Sequence, residues 1–359
     1  MVDIEGLRGQ VKLNCTISDA RFWGYFSICG LLLRMRELYR SEKSLMPWEV
    51  IPREEMGEWI AAREAEWKAL ETEPLRPLKI EGNVYDPFEV DRLNVHLNAH
   101  GLLYAGGYGR FNKPSFFLGK LEGRGERGDY LLHSSGQELC RDLSTSVAML
   151  QGRCIFMRRE PLKLLLWDKF QELRARKSGG LLKEAFSALG SADALVPEEL
   201  YQRIDSLSLE IAEIFILHET GEAYEDEYSD EWLDILDQNR DRATDFYVRG
   251  VKDLLADTSE KGPLKYIIGR KESTPLNFYM LFLDGIRKEI FPEIMNAFQK
   301  FADSADWVLL EEARRTGYAR ARTLRERIVR LWREGKGEKI GALIREYVKT
   351  CCVRHEGLK

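Results

Sequence analysis

The chain has 359 residues and a formal net charge of −5, and 44% of its residues are hydrophobic and 31% charged. This composition is typical of a folded globular protein and excludes an intrinsically disordered chain. The small negative charge argues against a broad attraction to nucleic acid or to an anionic membrane. Since no run approaches the ~20 apolar residues needed to span a bilayer, no membrane partner is expected.

The predicted elements begin with helices. The segment "SDARFWGYFSICGLLLRMRELYRS" has apolar residues at helical spacing, and Ser18 or Asp19 is the expected N-cap. The next helical segment, "REEMGEWIAAREAEWKALE", places Trp59 and Trp67 on one stripe. Its early glutamates and late Lys68 suit the helix dipole.

Residues 74–160 differ from the rest because proline and glycine are concentrated there. The stretch "PSFFLGKLEGRGERGDYLLHSSG" predicts two short strands joined by a glycine-rich turn, and "GRCIFMRR" could supply a third strand. From residue 160 onward the pattern is helical again, with a break at 190–197. The sequence therefore predicts a mainly α, multi-helix globular protein with a small antiparallel β-hairpin insertion.

The same pattern predicts how the chain divides. A chain this long is expected to form two or more packed units. Pro197 suits the first turn of a helix, which makes the break before it the best boundary. We predict one helical unit over 1–190, with the hairpin near 115–133, and a second over 191–359. No repeat or sustained heptad is present, which is typical of an all-α helical bundle rather than a coiled coil.

The cysteines and the first residues of the chain indicate the cellular compartment of the protein. Six cysteines are too few for a disulfide framework in a chain of this length. No C-x-x-C occurs, which excludes zinc ribbons and thioredoxin-like motifs. We expect the adjacent Cys351 and Cys352 to be small residues on a terminal helix. The first residues lack a basic start and an apolar run, so a cytoplasmic protein is expected.

The candidate site rests on two pairs of side chains at i, i+4 spacing, in "HLNAH" and "HETGE". Residues at this spacing share one helix face, and helical proteins build metal sites from such pairs on facing helices. The predicted ligands are His96, His100, His218 and Glu222, with Glu210 or Glu225 completing a set of six. A mixed nitrogen and oxygen set favours iron, manganese or zinc.

The second pair departs from established metal motifs. "HETGE" is not H-E-x-x-H, which excludes a zinc-protease helix, and Phe215 stands where an E-x-x-H motif needs glutamate. Gly221 also weakens the helix between the two ligands. In the alternative interpretation, His218 ends a buried helix and the acids after it form a solvated face. His96 and His100 would then bond to backbone groups near a turn.

Two other segments are candidates for binding anions. "YAGGYGRF" (104–111) lacks the spacing of a phosphate-binding loop, so its glycines indicate a turn or a close backbone approach. The arginine-rich segment 314–339 fits pairing with acidic helices of the fold or of a second subunit. Nucleic acid binding through this segment fits the acidic chain less well. Neither segment defines a site alone.

Further carboxylates occur in "VKDLLADT" and "DGIRKEIFPEI", which contain Asp253, Asp257 and Asp284. Such residues fit a functional site, but exposed helix faces have the same composition. No G-x-S-x-G or other nucleophile signature is present.

Four segments, "ISDARFWGYFSICGLLLRMRELY", "HLNAHGLLYAGGYGRF", "LHETGEA" and "VKDLLADT", together resemble a family of bacterial proteins with no assigned activity. The resemblance covers most of the chain and implies an intracellular bacterial protein, without catalytic residues to carry over. Two hypotheses remain open. One is a helical metal-binding protein, with oxidative or hydrolytic chemistry if it is an enzyme. The other is a non-enzymatic interaction or scaffold protein that uses charged helices to bind a protein partner or a second copy.

Overall fold

The computed structural model describes residues 2–176, 180–190, 195–225, 229–238 and 242–334. The chain forms two compact units, the first of residues 1–169 and 194–208 and the second of residues 170–193 and 209–359. The predicted helical units 1–190 and 191–359 stay a prediction. Cys351 and Cys352 lie outside the described residues.

The first unit begins with three helices, α1 (Ile4–Phe22), α2 (Ile28–Lys43) and α3 (Arg53–Leu70), and a shorter α4 (Val90–Leu97) follows. Asp3 caps α1 by accepting a hydrogen bond from the Gly6 N–H, and Ser27 caps α2 through the Gly30 N–H. The predicted cap at Ser18 or Asp19 is therefore wrong. Both residues lie buried inside α1.

The first unit also contains two sheets. Strands β1 (Leu78–Ile80) and β2 (Asn83–Tyr85) form an antiparallel pair. The larger sheet is formed by β3 (Leu102–Tyr108), β4 (Pro114–Arg127), β5 (Tyr130–Arg141), β6 (Ala148–Gln151) and β7 (Cys154–Arg158). Its strand order is β3-β4-β5-β7-β6, with β5 and β7 parallel and the other neighbours antiparallel.

The prediction of a mainly α protein, an all-α bundle with a small hairpin, is therefore wrong. The hairpin near 115–133 exists, but β5 extends beyond it to Arg141 and three further strands join the pair. The first five residues of β3 are all buried, so the strand lacks the alternation that marks a half-buried strand. A Cβ at Gly106, within β3, would lie 2.5 Å from the Pro87 carbonyl oxygen, so this glycine serves a close approach.

Helix α1 packs against β4 and β5 with a polar rather than an apolar face over part of its length. Asn14 exchanges two hydrogen bonds with the backbone of Arg76, at 2.8 and 2.7 Å. Ser18 donates to the Pro114 carbonyl, and Asp19 accepts from the Leu143 N–H at 3.1 Å. These buried polar groups are satisfied, as a stable interior requires, so α1 is held in place by specific bonds.

The second unit is helical over its described residues. Helix α5 (Arg159–Arg176) ends in it, α6 (Leu181–Ala185) lies within it, and α7 (Pro197–Tyr224) begins in the first unit and ends in the second. The remaining helices are α8 (Ser229–Gln238), α9 (Arg242–Thr258), α10 (Pro263–Arg270), α11 (Ser273–Phe282), α12 (Gly285–Ile290), α13 (Pro292–Ser304) and α14 (Trp307–Arg333). Helix α14 packs against α9 and α13. No described helix is both long and apolar enough to span a membrane.

The arginines of α14 have acidic partners within the second unit. Arg314, almost completely buried, pairs with Glu260 and Glu311 at 2.6 and 2.8 Å. The other pairs are Arg315 with Glu311, Arg320 with Glu293, Arg322 with Glu326, Arg325 with Glu225 and Arg333 with Glu231. These contacts match the interpretation of internal pairing for residues 314–333, and residues 335–339 lie outside the described part of the chain.

Candidate metal site

Helices α7 and α9 bring together a histidine and two carboxylates. His218 and Glu222 lie one turn apart on α7, and Asp253 faces them from α9. His218 Nε2 is 3.6 Å from Glu222 Oε1 and 4.0 Å from Asp253 Oδ1. One ligand atom from each residue lies within 4.8 Å of the others, which makes this the metal-ligand group found among the described residues.

Gly221 explains why the two helices meet at this point. A Cβ on Gly221 would collide with the carbonyl oxygen of Ala256 on α9 and would lie 2.9 Å from its carbonyl carbon. Only glycine permits so close an approach between two helix backbones. Gly221 lowers the intrinsic stability of α7, but it also lets His218 and Glu222 lie against α9.

A second carboxylate on α9 fixes the orientation of the imidazole. Asp257 Oδ1 lies 2.7 Å from His218 Nδ1, and the Tyr279 hydroxyl donates to Asp257 Oδ2 at 3.1 Å. With the tyrosine donating to one oxygen, Asp257 accepts the Nδ1 proton on the other and directs Nε2 toward Glu222 and Asp253. Metal-bound histidines in proteins are commonly held by a carboxylate in this way.

Two cations lie beside the carboxylates. Lys252 Nζ is 2.8 Å from Glu222 Oε2. Arg287 lies 3.9 Å from an oxygen of Asp253 and 3.9 Å from one of Asp257, and it also donates to the Phe282 carbonyl at 2.7 Å. Three carboxylates and two cations leave one negative charge in excess. This excess favours either a proton on His218 or a bound cation.

The pKa values of the group follow from this arrangement. Burial alone would lower the pKa of His218, but Asp257, Glu222 and Asp253 outweigh burial and hold the pKa well above its usual value. Burial raises the pKa of Asp253, with only partial opposition from His218 and Arg287. For Glu222, Lys252 and His218 overcome burial and depress the pKa. In the absence of a metal, these carboxylates therefore favour the protonated form of His218.

The geometry is close to what a metal ion needs. Ligand atoms bound at ~2.1 Å with tetrahedral angles lie ~3.4 Å apart. The separations of 3.6 and 4.0 Å around Nε2 exceed this value only slightly. All three ligand atoms lie within 4.8 Å of one another, so closing the group around one ion would require side-chain movement.

The predicted ligands lie in both units. His218 and Glu222 are adjacent in the second unit, whereas His96 and His100 belong to the first. His96 Nε2 lies 2.8 Å from the Tyr85 hydroxyl, and His100 ends a short 3₁₀ turn after α4. The four-residue ligand set stays a prediction.

The other two predicted carboxylates have their own surroundings. Burial and the nearby Glu272 raise the pKa of Glu210. Glu225 accepts a hydrogen bond from the Tyr318 hydroxyl at 2.7 Å and lies 3.6 Å from Arg325.

Sequence reasoning noted Asp253 and Asp257 but did not connect them with His218. A signal was present, because D-x-x-x-D in α9 repeats the i, i+4 spacing of H-x-x-x-E in α7. Two such pairs on facing helices converge naturally. Lys252, Tyr279 and Arg287 carry no comparable signal, since their role depends on how α9, α11 and α12 pack.

The fold and site thus define a protein of two compact units, one built on a mixed sheet and one helical, with a partly buried histidine–carboxylate group in the helical unit. The chain belongs to the family of unknown function DUF6866: the model of the family's N-terminal domain matches residues 6–158, and that of its C-terminal domain matches residues 163–350. The resemblance to a family without an assigned activity is confirmed. No curated protein and no solved structure matches the chain.

Proposed function

We propose that the second unit binds one divalent transition-metal ion through His218 Nε2, Glu222 and Asp253. The observation that carries the proposal is the 2.7 Å contact between Asp257 and His218 Nδ1, which leaves Nε2 facing two carboxylates. Such a relay from carboxylate to histidine is the arrangement that holds metal-bound imidazoles in other proteins. One nitrogen and two oxygen ligands suit manganese, iron or zinc.

Three protein ligands leave at least one coordination position open, as in metal sites that activate water. Asp257 and Tyr279 serve as positioning residues for the imidazole. Lys252 and Arg287 offset part of the negative charge of the carboxylates, which in turn raise the pKa values of both cations against the effect of burial. We therefore infer a site capable of catalysis, and hydrolysis is the simplest chemistry that these groups support.

Metal content tests the proposal. Protein purified without an affinity tag and then loaded with Mn²⁺, Fe²⁺ or Zn²⁺ should retain about one ion per chain after dialysis, because a tightly bound ion survives isolation. His218→Ala should weaken binding at least ~100-fold, since it removes a ligand rather than an outer-shell partner. The matched control is His96→Ala, which should leave binding unchanged. Retention of the ion in His218→Ala would overturn the proposal, and its loss in His96→Ala would favour the four-ligand set.

The competing account treats the group as a metal-free ion-pair network built around a protonated His218. The balance of charges favours it, since an imidazolium neutralises the excess carboxylate. Under this account His218→Ala costs ~1–3 kcal/mol of unfolding free energy, because Asp257, Glu222 and Asp253 lose one of their partners, and metal content stays near zero. Measuring metal content and stability on the same samples separates the two accounts.

A second candidate function is association through an apolar strip at the start of α2. Ile28 and Leu32 lie one turn apart and are 80% and 50% exposed, and Leu33 and Trp23 extend the exposed surface. Exposed apolar patches of this kind mark interaction sites. Analytical ultracentrifugation of the wild type and of Ile28→Asp tests self-association. If the wild type is monomeric, the strip does not mediate self-association, and its partner would have to be a different protein.

We infer a cytoplasmic location. Cys15, Cys29, Cys140 and Cys154 are free thiols, as is usual for proteins of a reducing compartment. Separating cell fractions and detecting the protein by antibody tests this inference.

A further inference from the structure

A cleft of about 500 Å³ lies in the first unit, between α4 and the larger sheet. One wall is the face of α4 that runs from Asp91 to Asn98, and the other is formed by residues of β4, β5 and β7. The volume lies within the range of small-molecule sites. Because the proposed metal ligands lie in the second unit, the cleft is a separate feature of the protein.

The walls of the cleft are joined by hydrogen bonds within the protein. The buried Asn94 side chain of α4 exchanges two hydrogen bonds with the backbone of Tyr104 on β3, at 2.7 and 2.9 Å. The Cys154 thiol on β7 donates to Asp91 Oδ1 at 3.4 Å. These bonds fix α4 against the sheet, so a ligand would not have to order the walls on binding.

His133 of β5 lines the sheet side of the cleft and is 5% exposed. Burial, and then Arg124, lower the pKa of His133, so its imidazole is neutral at pH 7. Its Nδ1 is buried without a hydrogen-bond partner among the described residues, which favours the single ring proton on Nε2. Nε2 makes no hydrogen bond within the same residues and is not fully buried. The ring therefore offers an Nε2–H donor to the cleft.

Arg124 of β4 lies directly opposite His133 in the β4–β5 pair, and both side chains line the cleft. Arg124 is exposed and pairs with no carboxylate among the described residues. On the α4 side, Asn98 Oδ1 is buried without a partner, which leaves the amide nitrogen of Asn98 as a further donor. The cleft thus offers several hydrogen-bond donors whose acceptors are not supplied by the described part of the chain.

The two charges of the lining lie toward different strands. Arg124 is on β4, whereas Asp91 is bonded to Cys154 on β7, and β5 lies between these strands. At His133 the effect of Arg124 exceeds that of Asp91. The potential on the β4 side of the cleft is therefore positive and favours an anionic group there.

The cleft also has an apolar border on each wall. Val95 of α4 is 74% exposed, and Leu131 of β5 is 42% exposed. Covering such side chains with an apolar group is favourable by ~25 cal/mol per Å². A ligand with an apolar body would therefore gain free energy from both walls.

We propose that this cleft binds a small monocarboxylate with an apolar body, its carboxylate on Arg124 and His133 Nε2 and its body between Val95 and Leu131. The planar fork of arginine matches the two oxygens of a carboxylate. A second carboxylate on the ligand would approach Asp91, so dicarboxylates are disfavoured.

Calorimetric titration with hexanoate tests the proposal. The wild type should bind hexanoate saturably. Hexanamide keeps the apolar body without the charge, and it should bind at least tenfold more weakly because the charge-assisted hydrogen bonds are lost. Acetate, which lacks the body, should also bind more weakly. Equal affinities for hexanoate and hexanamide, or no saturable binding of hexanoate, would rule the proposal out.

Arg124→Met should lower the affinity for hexanoate at least tenfold, and it should fold like the wild type because the side chain is exposed and unpaired among the described residues. Arg76→Met is the matched control. It removes the same charge from the first unit at a side chain that is 51% exposed and lies outside the cleft, so it should keep the wild-type affinity. An equal loss in both variants would indicate general charge attraction and contradict the assigned site.

Nuclear magnetic resonance of the histidine rings locates the ligand without any substitution. Hexanoate should shift the Nε2 resonance of His133 and leave that of His218 unchanged, because His218 lies in the second unit. If the His133 resonance does not move while hexanoate binds, the ligand occupies another site and the proposal is wrong.

Discussion

Asp19 is a buried carboxyl group on α1 whose surroundings only partly compensate for the loss of water. Lys113 Nζ lies 3.0 Å away and the Leu143 N–H donates to the carboxylate at 3.1 Å, but Asp142 is also near. Burial, as the largest influence, raises the pKa of Asp19 to about 6 in spite of Lys113. The folded protein therefore holds this proton more tightly than the unfolded chain does.

A pH dependence follows for Asp19. Between pH ~4 and ~6 the folded state binds the proton and the unfolded state does not, so the contribution of Asp19 to the unfolding free energy falls as the pH rises, by about 3 kcal/mol in all. Above pH ~7 the contribution is constant. Urea unfolding of the wild type and of Asp19→Asn, from pH 4 to pH 7, should show the difference between them shrinking by that amount. Parallel curves would contradict the prediction.

Asp257 offers a test at a residue that does not itself bind the proposed metal. Asp257→Asn keeps the shape of the side chain but weakens its hold on His218 Nδ1. Metal affinity should fall ~10–100-fold, the usual effect of losing an outer-shell carboxylate. Asp303→Asn is the control, because that residue is exposed on α13 of the same unit. Calorimetric titration with Mn²⁺ measures both, and equal affinities in the two variants would contradict the assigned role.

Among helices, the contact of α7 with α9 depends on Gly221. Gly221→Ala adds a Cβ that collides with the Ala256 carbonyl, so the helices must separate. We expect a net loss of ~1–3 kcal/mol in unfolding free energy, despite the better helix propensity of alanine, together with weaker metal binding.

Gly269→Ala is the matched control for Gly221→Ala. A Cβ there meets nothing within 4 Å, and the residue lies in α10. This variant should gain up to ~1 kcal/mol from helix propensity. Chemical denaturation of both variants measures the contrast, and a stabilised Gly221→Ala would refute the close approach.

The sequence predicted helices better than strands, for identifiable reasons. The β4–β5 hairpin was visible because its turn is rich in glycine and charge, whereas β3 and β7 are buried on every residue or nearly so and show no alternation. In α1, Ser18 and Asp19 resembled a cap because polar residues usually avoid a helix interior. Their partners at Pro114 and Leu143 lie too far along the chain for any local pattern to reveal.

The sequence reveals only part of the candidate site, because only part of it depends on local spacing. His218 and Glu222 are neighbours through helical spacing alone, which sequence shows directly. Asp253 and Asp257 join them through tertiary packing, which depends on the contact of Gly221 with Ala256. The i, i+4 spacing therefore identifies His218 and Glu222, whereas Asp253 and Asp257 join them only in the folded protein.

For the molecule as a whole, the metal-ligand group lies in the second unit. Each unit is assembled from two stretches of chain.

The bonds from α1 to distant segments also bear on how the protein is made. Ser18 and Asp19 bond to residues 96 and 124 positions later in the chain. At a synthesis rate of ~5–20 residues per second, α1 waits several seconds on the ribosome before those partners emerge. The strands from Leu102 to Arg158 pair with near neighbours in sequence and can assemble as they appear. The bonds of Ser18 and Asp19 can therefore form only after β4 begins and after the segment that follows β5 has emerged.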